Sequence, residues 1–406
     1  MDNENLYWIW LAGRPGFGPV KLRQMLELCG GPRRLYEAES GDLARMGLSE
    51  RARRTLADKD LRPARAILQR CAESGVTLLS LREEVYPAAL RQTPDAPLVL
   101  YCLGALPASG RQPWIGVVGA READRRGLQT ARALGWQLSD CGGVVVTGMA
   151  KGVDAEVAWG ALEQGGAVVG VLGGGVDTVY PRENAALYER VKARGCLLSE
   201  YPPGTAPNGR HFPARNRIIS ALSDGVVVVQ AAEHSGALIT ARWAADQGRD
   251  VFSVPGPAGD PLCRGSNQLL REGAILAESG WDIMREYVYR YPGAVRMPSQ
   301  GSGVGPRASA EGETPCRGKP VGGAALDALP ENSQSCGDSA PPRAEIDVSA
   351  LPPIQRQIVE ALQGGPLQLD TLIDRLGLPA GQVLTQLTLL QVKKIISQKP
   401  GKVYQL

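Results

Sequence analysis

The chain has 406 residues, 43% of them hydrophobic, with 45 Lys and Arg set against 42 Asp and Glu for a formal net charge of +3. That length accommodates two or three domains, and the mild charge announces no nucleic-acid binder by itself, so any anion site must come from where the cations sit. The eight cysteines never form a CxxC pair and, with two histidines, show no zinc spacing; this excludes a disulfide scaffold or metal knuckle, and reduced thiols with no bound metal are expected.

In chain order, the start MDNENLYWIW lacks the basic and long apolar regions of a signal peptide, and no apolar run approaches the ~20 residues that span a bilayer, so a cytoplasmic protein without membrane association is expected. Residues 1–106 alternate apolar and basic positions at helical spacing and read as a small SAM- or helix-hairpin-helix-like domain. Within it, PGFGPVKLRQMLELCG is a turn entering a helix with Leu22, Met25, Leu26 and Cys29 on one face. Gly16, Phe17, Gly18 and Pro19 form a hairpin whose amides, with Lys21, can meet a phosphate; a plain glycine turn accounts for the same residues. Residues 107–289 change to short apolar runs followed by glycine and a helical segment: WIGVVGA, GVVVTG, AVVGVLGGG, CLLSEY, GVVVVQA, DVFSVPG and AILAES. Runs buried on both faces and separated by helices predict an α/β domain, with a mostly parallel sheet and helices on both sides. Residues 290–350, rich in Gly, Pro and Ser without periodicity, read as a disordered linker. Residues 351–406 predict three helices and then two strand-like pieces, KKIIS and KVYQL, the outline of a winged helix.

Ligands of such a sheet lie beyond the carboxyl ends of the strands, where glycines admit a ligand and helix N-termini present amides. The segments there are GAREADRRG with Gly119 and Arg121, TGMAKGVD with Lys151, GGGVDTVYPREN with Gly173, Gly174 and Arg182, EYPPGTAPNGRHFPARNR, and AAEHSGALIT with Ser235 and Gly236. Arg121, Lys151, Arg182, Arg210 and Arg215 or Arg217 are therefore expected to converge on one basic cleft. Residues 201–223 carry Arg210, Arg215 and Arg217 and no acid at all. A row of cations suits several phosphates of one strand, and a single strand also offers bases to His211 or Phe212. Other readings stand beside these. Arg121 can pair with Glu122 or Asp124, although arginines near a helix start are misplaced unless an anion is nearby. Lys151 can be a solvated loop residue, the glycine run only a tight turn, and Phe212 a hydrophobic staple. On a helix starting near Ala214, Arg215 and Arg217 point about 160° apart. Arg215 then faces the ligand or both sit in a pre-helical loop, leaving Arg217 open to a structural or subunit-contact role.

The pieces VVGAR, TGMAKGVDAEVAWGAL, VLGGGVDTVYPREN, LLSEYPPGT, HFPARNRIISALS, SGALITARWAADQGRDVFSVPG and RGSNQLLREGA, in that order, closely resemble the DNA-processing protein A (DprA, or Smf) family. The resemblance covers essentially the whole α/β region, and GFGPVKL, YPAALRQTPDAPLVLYCLG and the tail look like the family's N-terminal domain and winged-helix appendage. It implies an extended Rossmann-like fold and a homodimer formed through the α/β domains. It also implies a protein that binds and protects single-stranded DNA and helps load the RecA recombinase in natural transformation, with no catalysis and no cofactor. The family's DNA contacts would fall on Arg121, Arg182 and the basic positions of HFPARNR. Two departures stand out: Ala120 replaces a frequent Ser or Thr, and ADRRG replaces a more compact turn, so the loop is expected to hold DNA more by charge than by shape. A nucleotide-processing enzyme of the related phosphoribohydrolase type is the alternative, although EHSGALITARW lacks the glutamate of that group's PGGxGTxxE stretch. A duplex-binding tail is a third reading, with residues 385–391 in a recognition helix; GQVLTQLTLLQ offers it no Arg or Lys.

Overall fold

A computed structural model describes residues 4–299, 352–378, 383, 386–387, 390–391, 395–399 and 403–406. The chain separates into two compact units, Met1–Gly305 and Pro306–Leu406. The first opens with helices α1 (Asn5–Ala12), α2 (Pro19–Cys29), α3 (Pro32–Glu37), α4 (Ser40–Arg45), α5 (Glu50–Leu56) and α6 (Arg62–Glu73). On α2, Leu22, Met25, Leu26 and Cys29 are buried together as the spacing predicts. Pro19 starts that helix, and Gly30 ends it in the left-handed region at φ 75°.

Helices do not fill the whole span 1–106. Strands β1 (Thr77–Ser80) and β2 (Val99–Gly104), with the short α7 (Ala88–Arg91) between them, belong to the central sheet. Helical spacing and a short buried apolar run look alike within a few residues. What decides is a distant partner: β2 pairs antiparallel with β6 (Cys196–Ser199), setting Tyr101 opposite Ser199.

The seven apolar runs are strands β3 (Trp114–Val118), β4 (Val144–Thr147), β5 (Val168–Val171), β6, β7 (Gly225–Val228), β8 (Asp250–Ser253) and β9 (Ile275–Leu276). With β1 and β2 they form one nine-stranded sheet in the order β1-β2-β6-β5-β4-β3-β7-β8-β9. Pairing is parallel from β6 through β9 and antiparallel at β1–β2 and β2–β6. Alternation along each strand divides the core. Ile115, Val117, Val145, Val168, Leu197 and Val227 face α8 (Arg125–Asp140), α9 (Val153–Glu163), α10 (Ala185–Arg194) and α14 (Gly280–Met284). Trp114, Val118, Val144, Val146, Val169, Val226 and Val228 face α11 (His211–Leu222), α12 (Gly236–Asp246) and α13 (Arg264–Arg271). Helices α8 and α9 meet through bare glycines: a Cβ on Gly135 would collide with the Val157 carbonyl, and one on Gly160 with that of Arg132.

The connections position the ligand crevice. From β3 the chain winds through β4, β5 and β6 on one side, then returns to place β7 on the other side of β3. Loops leaving β3 and β7 therefore diverge, and a crevice opens at the carboxyl ends of these strands.

Residues 290–299, read as the beginning of the linker, are held to the first unit. Tyr291 is buried and its hydroxyl donates to Asp224 Oδ1 at 2.9 Å, while Ser299 Oγ reaches Asp140 Oδ2 at 2.7 Å. These side-chain bonds are invisible to composition. The rest of that span, 300–350, lies outside the described residues. In the second unit α15 (Pro353–Gln363) and α16 (Leu369–Leu376) accompany a small antiparallel sheet of β10 (Leu367–Gln368), β12 (Val403–Gln405) and β11 (Ser397–Lys399). Its core gathers Ile358, Leu362, Leu372, Leu387, Leu390 and Tyr404, the predicted winged helix. Of the expected recognition helix only 386–387 and 390–391 are described, all helical; Thr385 lies outside the described residues.

Among the described residues no helix is long and apolar enough to cross a membrane. None of their His, Cys, Asp and Glu side chains groups in threes to hold a metal ion.

Candidate nucleic-acid interface

The crevice is a cleft of about 570 Å³ walled by Gly119 and Arg121 after β3, Ala150 and Asp154 after β4, Tyr180 after β5, Phe212, Arg215 and Asn216 on α11, and Ser235, Gly236 and Thr240 on α12. Backbone comes close here because side chains are missing. A Cβ on Gly119 would stand 2.7 Å from Val153, whereas Gly236 faces open space. Ser235 caps α12, its hydroxyl accepting from the Ala237 amide at 3.3 Å.

One wall is cationic and aromatic. The Arg121 guanidinium lies over the Phe212 ring, 5.3 Å from its centroid, and Tyr180 tilts against the same ring at 5.5 Å and 34°. Arg121 is exposed and makes no ion pair among the described residues, although its charge reaches the Asp154 carboxyl. The Asp124 carboxylate, close in sequence, is otherwise engaged. Asp124 caps α8, accepting from the Gly127 amide at 2.7 Å, so the anion at that helix start is the chain's own.

The floor holds Arg215, 4% exposed, whose Nη1 donates to the Gly148 carbonyl at 2.6 Å and to that of Val171. Asp154 lies beside it, accepting from the Ala150 amide at 3.3 Å. Burial pushes the Asp154 carboxyl above its usual range, and the Arg215 charge pulls it back; burial likewise lowers Arg215. Helix α11 begins at His211 rather than near Ala214, because Pro213 falls in the first turn, where amides have no helical acceptor. Both arginines are therefore helical, and neither lies in a pre-helical loop. Arg217 points away from the cleft to Glu200 Oε2 at 2.6 Å and Asp95 Oδ2 at 3.4 Å.

Convergence of the cations is narrower than their chain positions suggest. Lys151 is turned outward onto Glu183 Oε1 at 2.6 Å, and Arg182 and Arg210 are exposed without lining the cleft. Gly173 and Gly174 are buried, covered by Phe212 and by Thr205 and Pro207, so the glycine run packs chain against chain. His211 stacks on Tyr201 at 4.0 Å, and its Nδ1 sits 3.1 Å from the Gly173 carbonyl. This local packing accounts for the histidine at position 211. Sequence reasoning passed over Tyr180, Asn216 and Thr240 on the walls, and Asn184, whose side-chain amide donates to Met149 O at 3.0 Å and Ala150 O at 3.1 Å. That clamp holds the β4 loop where Met149 takes a left-handed φ of 58°. All four stand inside or beside motifs that the sequence singles out, VYPREN, HFPARNR and SGALIT, and that was the available signal.

A family described as DNA recombination-mediator protein A matches residues 77–288, from the first residue of β1, and a DprA winged helix domain matches residues 339–402. The chain is 30% identical over 410 residues to Protein Smf of Synechocystis sp., covering 100% of this chain and 99% of that one. It is 40% identical over 220 residues to DNA processing protein DprA of Bacillus subtilis, covering 54% of this chain and 74% of that relative. The X-ray structure of DNA processing protein A from Streptococcus pneumoniae superposes with a TM-score of 0.61 at 33% identity, covering 68% of this chain and 96% of that one.

Proposed function

The chain belongs to the DNA recombination-mediator protein A (DprA/Smf) family, and from that premise we propose that it binds single-stranded DNA in the cleft beyond β3, protects it and passes it to the RecA recombinase. The observation that carries the reading is the wall of Arg121 on Phe212, with no ion pair to Arg121, at a sheet edge where Gly236 leaves room for a backbone. Cations meet phosphates there, and the flanking aromatics offer a surface that paired bases cannot use. Exposed Arg182 and Arg210 extend the positive surface beyond the cleft. The test is a titration of the full chain with a single strand and its duplex across a salt series. Preference for the single strand is expected, and Arg121→Ala should weaken binding and flatten the salt dependence by about 0.7 per lost phosphate contact. Equal binding of both forms, or an unchanged slope, overturns the reading.

Transfer to RecA rests on the family alone; faster RecA filament formation on single strands in the presence of this chain is its test. A homodimer through the α/β unit is supported by β9 at the sheet edge, with Leu276 49% exposed. Light scattering should report twice the chain mass, falling to one mass for Leu276→Asp. We read the protein as a binder rather than an enzyme because the cleft carboxylate, Asp154, is buried beside Arg215 instead of presented to solvent. Release of free base from nucleoside monophosphates would restore the phosphoribohydrolase reading.

A further inference from the structure

Lys151 stands at the rim of the cleft, one residue beyond Ala150 in its wall, and Glu183, which holds it, lies three residues beyond Tyr180 in the same wall. The backbones that carry this pair are locked together. Asn184, next to Glu183, donates its side-chain amide to Met149 O at 3.0 Å and to Ala150 O at 3.1 Å, just ahead of Lys151. Just after Lys151, Gly152 sits at φ 75°, where an added Cβ would collide with the Ala120 and Arg121 carbonyls. Only the side chains can move: they are 56% and 64% exposed, and the ammonium rides on a flexible four-carbon stem. The hydrogen bond from Glu183 lifts the Lys151 ammonium above its usual range, and the ammonium holds the Glu183 carboxyl below its own, so both are charged at neutral pH. Arg121, Arg182 and Arg210 make no ion pair among the described residues, and Arg215 is buried against backbone carbonyls. Lys151 is thus the rim cation that an exposed carboxylate already occupies. We propose that Glu183 is a built-in competitor of the strand: its carboxylate sits on Lys151 in the free chain, gives way to a phosphate on binding, and returns as the strand leaves. The proposal rests on the single-strand reading above and adds how that site lets go. Carboxylate and phosphate exchange on one ammonium, so the free energy of breaking the ion pair is subtracted from the affinity. A carboxylate rather than a salt ion attends Lys151 beforehand, so its phosphate contact adds little to the salt dependence.

The experiment titrates the full chain with oligothymidylate across a salt series and times release of the bound strand into excess unlabelled strand. Glu183→Gln should tighten binding on the order of threefold, slow release by a similar factor, and steepen the salt dependence by up to about 0.7. Lys151→Met should weaken binding. In the Lys151→Met background, Glu183→Gln should gain less than it does alone and leave the salt slope unchanged, since no ammonium remains to be freed. An affinity indifferent to Glu183→Gln overturns the proposal and leaves the single-strand reading intact. So does an equal gain with and without Lys151, which would mean that Glu183 only repels the strand. A wild-type chain that does not bind oligothymidylate removes both readings.

Discussion

Three arginines show how far residue type falls short of role. Arg121 was legible in the sequence because it stands two residues beyond Gly119 at the end of a buried strand, where the crevice of such a sheet opens. Arg215 and Arg217 were legible only as pointing apart. That one braces the Gly148 and Val171 carbonyls while the other meets Glu200 and Asp95 needed the fold, because both sets of partners come from distant strands and loops. The roles have separate signatures. Removing Arg217 leaves Glu200 and Asp95 without their cation, so Arg217→Ala should destabilise the first unit by about 3–5 kcal/mol in denaturant titration, while the folded fraction keeps its affinity for single strands. Arg121→Ala should do the reverse, since the side chain is exposed and carries no ion pair in the described structure. His211 is the cautionary residue: its rarity drew attention, yet stacking on Tyr201 and contact with Gly173 O account for it.

Among elements, strands β3 to β9 could be placed from apolar runs alone; β3 to β7 are buried on both faces and need no partner information to stand out. β1 and β2 could not, since their identity depends on pairing with β6. Close packing of α8 on α9 was equally hidden. Gly135 and Gly160 read as ordinary helix weaknesses and turn out to be points where two backbones touch. Gly160→Ala should therefore cost about 1–3 kcal/mol rather than gain helix propensity, seen as a fall of several degrees in the thermal midpoint. Helix α6 bears on the cleft in a way its own sequence does not reveal. Arg70 Nη1 donates to Pro203 O at 3.2 Å and fills the space a side chain on Gly204 would need, at a left-handed φ of 82°. The next link runs onward, from the Gly204 amide to Asp177 Oδ1 at 2.7 Å and from the Gly175 amide to Thr205 O at 2.9 Å. Arg70 thus steadies the segment that brings Pro207 and Gly209 to the cleft. Arg70→Ala should weaken single-strand binding a few-fold, on the order of 1 kcal/mol, with little change in thermal midpoint. Unchanged affinity would show that the segment holds its place without the strut.

At the scale of the molecule, every wall of the cleft belongs to the unit Met1–Gly305, and the matched α/β family segment contains them all. Removing the second unit should therefore leave the preference for single strand over duplex unchanged in a competition titration; a preference that vanishes would place part of the binding surface in the winged helix. By itself the sequence determined the fold class, the seven runs of the parallel sheet, the winged-helix tail, the family and the edge of the sheet where the cleft opens. Each of these follows from local periodicity, glycine placement or ordered motifs, which survive without knowledge of what lies opposite. Only the tertiary structure decided which cations face the cleft, that the glycine run is covered, that Asp154 stands on the floor, and that Tyr180 rather than Phe212 presents an open ring. Those outcomes depend on ion pairs and ring contacts between segments far apart in the chain, and the free energy of such contacts exists only once the sheet has brought them together.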